Sequence, residues 1–277
     1  MLMNNRYTRS YPHKPFNACR IIYLGDVVGR PGRTALKKFL PSLRVDVDAD
    51  LVIVNGENAA GGAGIDPGTA QEIRSSGVDV ITLGDHAFQR KGSAELLNEN
   101  SSWCIRPANL PSDTTPGRGE CSVTLSDGTV VQVTNMLGRV FISGTTECPF
   151  RAARSWAERH ALGRASITVC DFHAEATSEK YAMARFLDGK ISLLVGTHTH
   201  VQTADAQILP GGTAYITDLG MTGNQGGVIG MKSDVALQRF LSPRPAPYQV
   251  EEGEGQLRGV LADIDRSTGL AQAIYLL

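Results

Sequence analysis

The sequence lacks a charge excess, a long apolar run and any paired-cysteine motif. Lys and Arg total 27 against 28 Asp and Glu, a net charge of −1 over 277 residues. Proteins that wrap long nucleic acid carry a basic surplus to neutralise phosphates, so no long nucleic acid is expected as a partner. No apolar stretch approaches the ~18 residues that cross a bilayer, so no membrane partner is expected either. The five cysteines (Cys19, Cys104, Cys121, Cys148, Cys170) are odd in number, scattered and without a Cys-x-x-Cys pair. That argues against a disulfide framework and for a reducing, cytoplasmic setting. No Gly-x-Ser-x-Gly elbow accompanies Asp171, His173 and Ser178, which removes the main support for a nucleophilic triad. The glycine-rich stretch GDVVGRPG at 25–32 is neither a dinucleotide fingerprint nor a phosphate loop.

Acidic residues are missing from the first 19 positions, which hold three basic residues and two prolines. This segment has no apolar core of a secretory signal. It is expected to be a disordered or extra N-terminal tail, with Met3 as an alternative start and an organelle transit peptide as the other reading. Residues 20–277 are expected to form a single domain.

What the chain has in plenty is glycine, 30 residues, or about 11% against a typical ~7%. The glycines fall mainly after apolar runs, as in Leu24-Gly25-Asp26 and Val195-Gly196-Thr197. Apolar runs predict strands over 20–25, 50–55, 78–83, 165–170 and 191–195. Helical spacing predicts helices after Pro31, from the Asp66 N-cap to about Ser76, over 93–98, 150–161, 177–187 and 235–241. Ser126-Asp127-Gly128 marks a hairpin between 122–125 and 129–134. Short strands are expected at 207–209 and 213–216, and a terminal ribbon at 259–264 and 271–275. Strand–helix alternation at both ends, with a hairpin between, predicts one α/β domain with a mixed sheet or two packed sheets.

The informative residues follow the strands. They are Gly25-Asp26, Gly56-Glu57-Asn58, Gly84-Asp85-His86, Asp171-Phe172-His173 and Gly196-Thr197-His198-Thr199-His200. Ligands of α/β sheets sit beyond the carboxyl ends of strands. Four of the six histidines are there; His13 lies in the tail and His160 in a helix. A lone histidine after a strand is ordinarily a hydrogen-bonded structural residue, but five such ends together point to a metal site. His198 and His200, two apart in an extended segment, are expected to face one side. Carboxylates with imidazoles suit iron, manganese or zinc better than calcium. About eight candidate ligands are too many for one ion and fit two metals sharing a bridging carboxylate.

These motifs carry a family resemblance. GDVVGRPGR (25–33), NGENAAGGAG (55–64), RPANLP (106–111), DFHAEATSEK (171–180), VGTHTHVQTAD (195–205) and GTAYITDLGMTG (212–223) resemble the YmdB-like phosphodiesterases, a branch of the calcineurin-like metallophosphoesterases. The resemblance runs from about Arg20 to the C-terminus. It implies a sandwich of two mixed β-sheets flanked by helices, and two metal ions, iron or manganese. It implies that Asp26, Glu57, Asn58 and His200 hold one metal, that Glu57 bridges, and that Asp85, His173 and His198 complete the second. His86 would be the proton donor. Implied too is hydrolysis of small phosphodiesters such as 2′,3′-cyclic nucleotides, by attack of a metal-bridging hydroxide. The glycine-rich composition adds an expectation of a homo-oligomer.

One position departs from the family motif. Gly-Asn-His is replaced by Gly84-Asp85-His86, which raises the site carboxylates from two to three. The extra charge is expected to lower the metals' Lewis acidity and raise the pKa of bound water, with activity retained. A phosphomonoesterase or nucleotidase on the same centre, and a regulatory metal-binding protein with low turnover, are the alternatives. Arg106 and Asn109 are the candidates for substrate contact outside the metal shell.

Overall fold

A computed structural model describes residues 11–163, 166–243 and 247–277. In chain order the elements are β1 (Ala18–Leu24), β2 (Asp26–Val27), α1 (Gly29–Asp46), β3 (Leu51–Asn55), α2 (Pro67–Ser75), β4 (Val80–Thr82) and α3 (Ser93–Glu99). Then come β5 (Glu120–Thr124), β6 (Val130–Leu137), α4 (Pro149–Arg159), β7 (Ser166–His173), α5 (Thr177–Leu187) and β8 (Leu193–Thr197). The chain closes with β9 (Gln207–Ile208), β10 (Ala214–Ile216), β11 (Met221–Thr222), α6 (Ser233–Leu241), β12 (Gly259–Asp265) and β13 (Ala271–Leu276).

Two mixed sheets face each other. One runs β13-β12-β1-β3-β4, with β1, β3 and β4 parallel; the other runs β5-β6-β7-β8-β10-β9, with β6, β7, β8 and β10 parallel. Ile21, Tyr23, Ile53, Val133, Val169 and Val195 meet between them. The opposite face of the first sheet packs on α1, α2 and α3 through Leu36, Leu40, Ile73 and Leu97. That of the second packs on α4 and α5 through Trp156, Met183 and Leu187. Sheets covered on both faces need strands that are apolar throughout rather than alternating, and every residue of β1 and β3 is buried. This is the expected α/β sandwich of two mixed sheets flanked by helices.

Local signals act as the sequence suggests. Asp66 caps α2 reciprocally with Thr69, and Pro67 occupies the first turn. The Ser126-Asp127-Gly128 turn joins β5 and β6 in antiparallel register. β7 is longer than expected and carries its pairing with β6 and β8 through His173; the expected first residue of this strand, Ala165, lies outside the described residues. The two-residue pair β2–β11 has no local signature, because only the approach of Met221 to Asp26 creates it. Most of the expected tail, Met3 included, also lies outside the described residues. Tyr11 packs on the first core and hydrogen-bonds the Leu276 carbonyl at 3.2 Å.

Arg20 of β1 and Asp263 of β12 are register partners, each 1% exposed. Their bidentate pair measures 2.6 and 2.8 Å, and the remaining guanidinium nitrogen donates to the Pro12 and Val47 carbonyls. Removing one member strands a buried charge, whereas replacing both with apolar groups does not. Asp263→Ala is therefore expected to lose about 3–5 kcal/mol in urea unfolding, with the double variant Arg20→Met/Asp263→Leu recovering most of it. Equal stability of Asp263→Ala and wild type would refute this account.

Candidate metal centre

The parallel strands of both sheets end at one edge, and their C-terminal residues meet there. Asp26 follows β1. Asn55, Glu57 and Asn58 follow or end β3. Asp85 and His86 follow β4, His173 ends β7, and His198 and His200 follow β8. The approach is close enough to require glycine. A Cβ on Gly84 would stand 2.2 Å from a Glu57 carboxylate oxygen and 2.3 Å from the His173 ring; one on Gly196 would stand 1.7 Å from the Thr217 carbonyl oxygen. The glycines after the strands are thus steric conditions of the site.

Ligand-type atoms of Glu57, Asp85, His173 and His198 all lie within 4.8 Å of one another. His173 Nε2 is at the middle of this group, 3.0 Å from Glu57 Oε1, 3.2 Å from Asp85 Oδ1 and 3.0 Å from His198 Nδ1. A second group adjoins it: His200 Nε2 lies 3.2 Å from Asn58 Oδ1 and 3.8 Å from Asp26 Oδ1. His86 stands beside both groups. Its Nδ1 is 3.3 Å from Asn58 Nδ2, its Nε2 is 3.5 Å from Asp85 Oδ2, and its backbone N–H donates to Glu57.

His198 and His200 do not sit on an extended segment. Both have left-handed backbones, with φ of 94° and 63°. The two imidazoles therefore reach different groups instead of sharing a face. Thr199 between them is anchored to Asp218, whose Oδ2 accepts from the Thr199 hydroxyl at 2.6 Å, the Thr199 N–H at 3.2 Å and Lys180 Nζ at 2.7 Å. Lys180 and Asp218 are buried, so this charge pair holds a strained loop in one conformation.

Hydrogen bonds assign the inward atoms. The Asn58 amide donates to the Gly62 carbonyl, so its Oδ1 faces His200. His200 Nδ1 donates to the Ile229 carbonyl at 2.9 Å, which leaves Nε2 bare toward the group. His173 Nδ1 donates to the Thr197 hydroxyl at 2.8 Å, and Thr197 donates in turn to Asp171 at 2.7 Å. Asp171 also accepts from Thr82 and Asn55, so this further buried carboxylate is held by three donors. Metal-binding histidines use this pattern, an outer nitrogen tied down and an inner one free.

The electrostatics are those of crowded carboxylates among imidazoles. Burial raises the Asp26 carboxyl to about 6, against the pull of His200 and His173. Burial also opposes ionisation of Glu57 and Asp85, but the His173 imidazole outweighs it and both are lowered. His173 is raised well above the ordinary imidazole value, since Glu57, Asp85 and Asp26 overcome its own burial. His198 is lowered by burial and by the neighbouring His173. Asp26 Oδ1 is buried and accepts no hydrogen bond from any described residue. A shielded oxygen without a donor, next to amide and imidazole acceptors, fits a cation.

A pocket of about 480 Å³ opens over these groups, a size suited to a small ligand. Its walls include Glu175, Arg239 and Tyr248, none of which the sequence pattern singles out. Glu175 lies inside the DFHAEATSEK motif, two residues after His173; Arg239 and Tyr248 have no local signal. Arg106 and Asn109 are not among its lining residues. Arg106 donates to the Pro107, Thr115 and Pro116 carbonyls, and Asn109 bridges Leu137 and Glu147, so both brace the backbone. His160 lies 3.5 Å from Glu120 and packs at a tilt against the Trp156 ring.

Paired mixed sheets with carboxylate, amide and imidazole groups gathered at the strand ends define a metallophosphoesterase-type α/β protein. The chain belongs to the YmdB-like protein family, whose model matches residues 22–277. It is 42% identical over 255 residues to the 2′,3′-cyclic-nucleotide 2′-phosphodiesterase of Bacillus subtilis, covering 92% of this chain and 95% of that one. A novel phosphatase structure from Mycoplasma pneumoniae superposes with a TM-score of 0.87 at 33% identity, covering 94% and 93% of the two chains. A hypothetical protein from Thermus thermophilus gives 0.84 at 38% identity, covering 93% and 98%. Among the described residues, no helix is long and apolar enough to cross a membrane.

Gly84→Ala is expected to push Glu57 and His173 apart and abolish stoichiometric metal uptake while far-UV circular dichroism stays native. Wild-type metal content in that variant, read by elemental analysis, would contradict the steric role.

Proposed function

We propose that this chain is a phosphodiesterase that hydrolyses small phosphodiesters, 2′,3′-cyclic nucleotides among them, at a dinuclear metal centre. The observation that carries the reading is the convergence of seven donors, with the inward atoms of Asn58, His173 and His200 set by outward hydrogen bonds. Asp26, Asn58 and His200 would hold one metal, Asp85, His173 and His198 the other, with Glu57 shared between them. Three carboxylates, an amide oxygen and three imidazoles suit iron or manganese. Family membership and the name of the Bacillus relative support the substrate class.

When bound, the two ions supply positive charge for the phosphate oxygens and acidify the attacking water. The chain's own groups do the rest. Asn58 Nδ2 donates toward His86 Nδ1, which leaves the His86 proton on Nε2, 3.5 Å from Asp85 Oδ2. From there it protonates the departing alkoxide, which is otherwise a poor leaving group. Glu57 accepts the His86 backbone N–H and so ties the proton donor to the shared carboxylate. Arg239 at the pocket wall adds positive charge for an anionic substrate.

The extra carboxylate of Asp85 favours one second reading, a regulatory metal-binding protein with low turnover. A monoesterase or nucleotidase on the same centre is favoured by the structural relative from Mycoplasma pneumoniae, which is described as a phosphatase. The proposal extends to a cytoplasmic location, supported by five free cysteines, and to a homo-oligomer, supported by the exposed Leu237, Phe240 and Leu241 of α6.

Chelator-stripped protein is expected to hydrolyse 2′,3′-cyclic AMP only after manganese is restored, and to prefer it to phosphomonoesters. No turnover in protein that has rebound two metals would shift the assignment to the regulatory reading, and faster monoester cleavage would shift it to the monoesterase. His86→Ala is expected to lower kcat by about 10²–10⁴-fold with metal content unchanged; loss of both metals would remove His86 from the donor role. Asp85→Asn is expected to bind the second metal more weakly while remaining active, and a large gain in turnover would instead identify Asp85 as a brake.

A further inference from the structure

The three inward-facing imidazoles are secured differently. His173 relies on the buried Thr197–Asp171 relay, and His200 on a backbone carbonyl. His198 has neither. Its ring is 21% exposed and faces the pocket, on a backbone with φ of 94°. Among the described residues its outer nitrogen, Nε2, meets one partner, Glu175 Oε2, at 3.1 Å. Its other nitrogen, Nδ1, points inward, 3.0 Å from His173 Nε2 and 3.5 Å from Asp85 Oδ1. Glu175 stands in the turn between β7 and α5, two residues after His173, with 46% of its side chain exposed.

We infer that Glu175 is a positioning residue: its carboxylate accepts the His198 Nε2–H and holds the imidazole in the tautomer that leaves Nδ1 bare toward Glu57, Asp85 and His173. Free imidazole exchanges its proton between the two nitrogens, and a ring open to the pocket has water available to either. An acceptor oxygen at the outer nitrogen removes that freedom. The consequence for metal affinity rests on the reading of the cluster as a metal centre; the tautomer does not.

The test uses the full chain as wild type, Glu175→Ala and Glu175→Gln. Glutamine keeps an acceptor oxygen at nearly the same place and loses the charge. In metal-free protein with ¹⁵N-labelled histidine, the His198 ring is expected to show a protonated Nε2 in wild type and Glu175→Gln, and a tautomer mixture in Glu175→Ala. Manganese titrated against a competing chelator is expected to bind one site about 10- to 100-fold more weakly in Glu175→Ala, with the other site unchanged and Glu175→Gln restored close to wild type. An unchanged His198 tautomer in Glu175→Ala, or a Glu175→Gln variant as weak as Glu175→Ala, overturns the inference. A wild-type chain that shows the expected tautomer but takes up no manganese overturns the metal-centre reading and leaves the tautomer assignment standing.

Discussion

Three carboxylates converge at one edge of the sandwich, and Asp26 and Glu57 are sealed from water. Like charges in a low-dielectric site repel strongly unless positive charge or protons compensate them. Much of the local structure answers that demand. His173 takes a central position among Glu57, Asp85 and Asp26, and these carboxylates raise its pKa well above the ordinary imidazole value despite its burial. Burial pushes the Asp26 carboxyl up to about 6, and its Oδ1 accepts no hydrogen bond from any described residue. A pair of metal ions would satisfy the same demand.

The rest of the edge is built to keep those groups in place. Asp171 is also a buried carboxylate, but three side-chain donors surround it, so it orients His173 through Thr197. The Lys180–Asp218 pair does a similar job on the other side of β8, tying down Thr199 so that its two histidine neighbours diverge. Both supports lie one layer behind the inward-facing atoms, and the Asp171 group also ties the two sheets together through Asn55 and Thr82.

Asp85 tips this balance. Its oxygens lie 3.2 Å from His173 and 3.5 Å from His86, so it bears on both the inward-facing group and the His86 imidazole. On the function proposed for this site, a carboxylate here would strengthen the hold on cations and draw the His86 Nε2–H toward itself. Affinity and reactivity would thereby be set against each other at one residue.

Much of this was legible in the sequence. Apolar runs located the strands, α5 has its expected bounds of 177 and 187, and the Asp66-Pro67 cap opens α2 where the pattern put it. Asp26, Glu57, Asn58, Asp85, His86, His173, His198 and His200 were visible because each follows or ends an apolar run, and parallel strands bring such ends to one edge. Their local order is a property of the chain, so sequence by itself determined it. The left-handed turns at His198 and His200, the β2–β11 pair, and Glu175, Arg239 and Tyr248 in the pocket wall were decided only by tertiary structure. They depend on segments far apart in sequence: Asp218 holding Thr199, Met221 reaching Asp26, and α6 folding over the strand ends. Arg106 and Asn109 illustrate the same limit, since only the packed loop shows their polar groups turned to backbone carbonyls. Hydrophobic periodicity and strand-end chemistry are written locally, whereas the direction of a side chain is set by what packs against it.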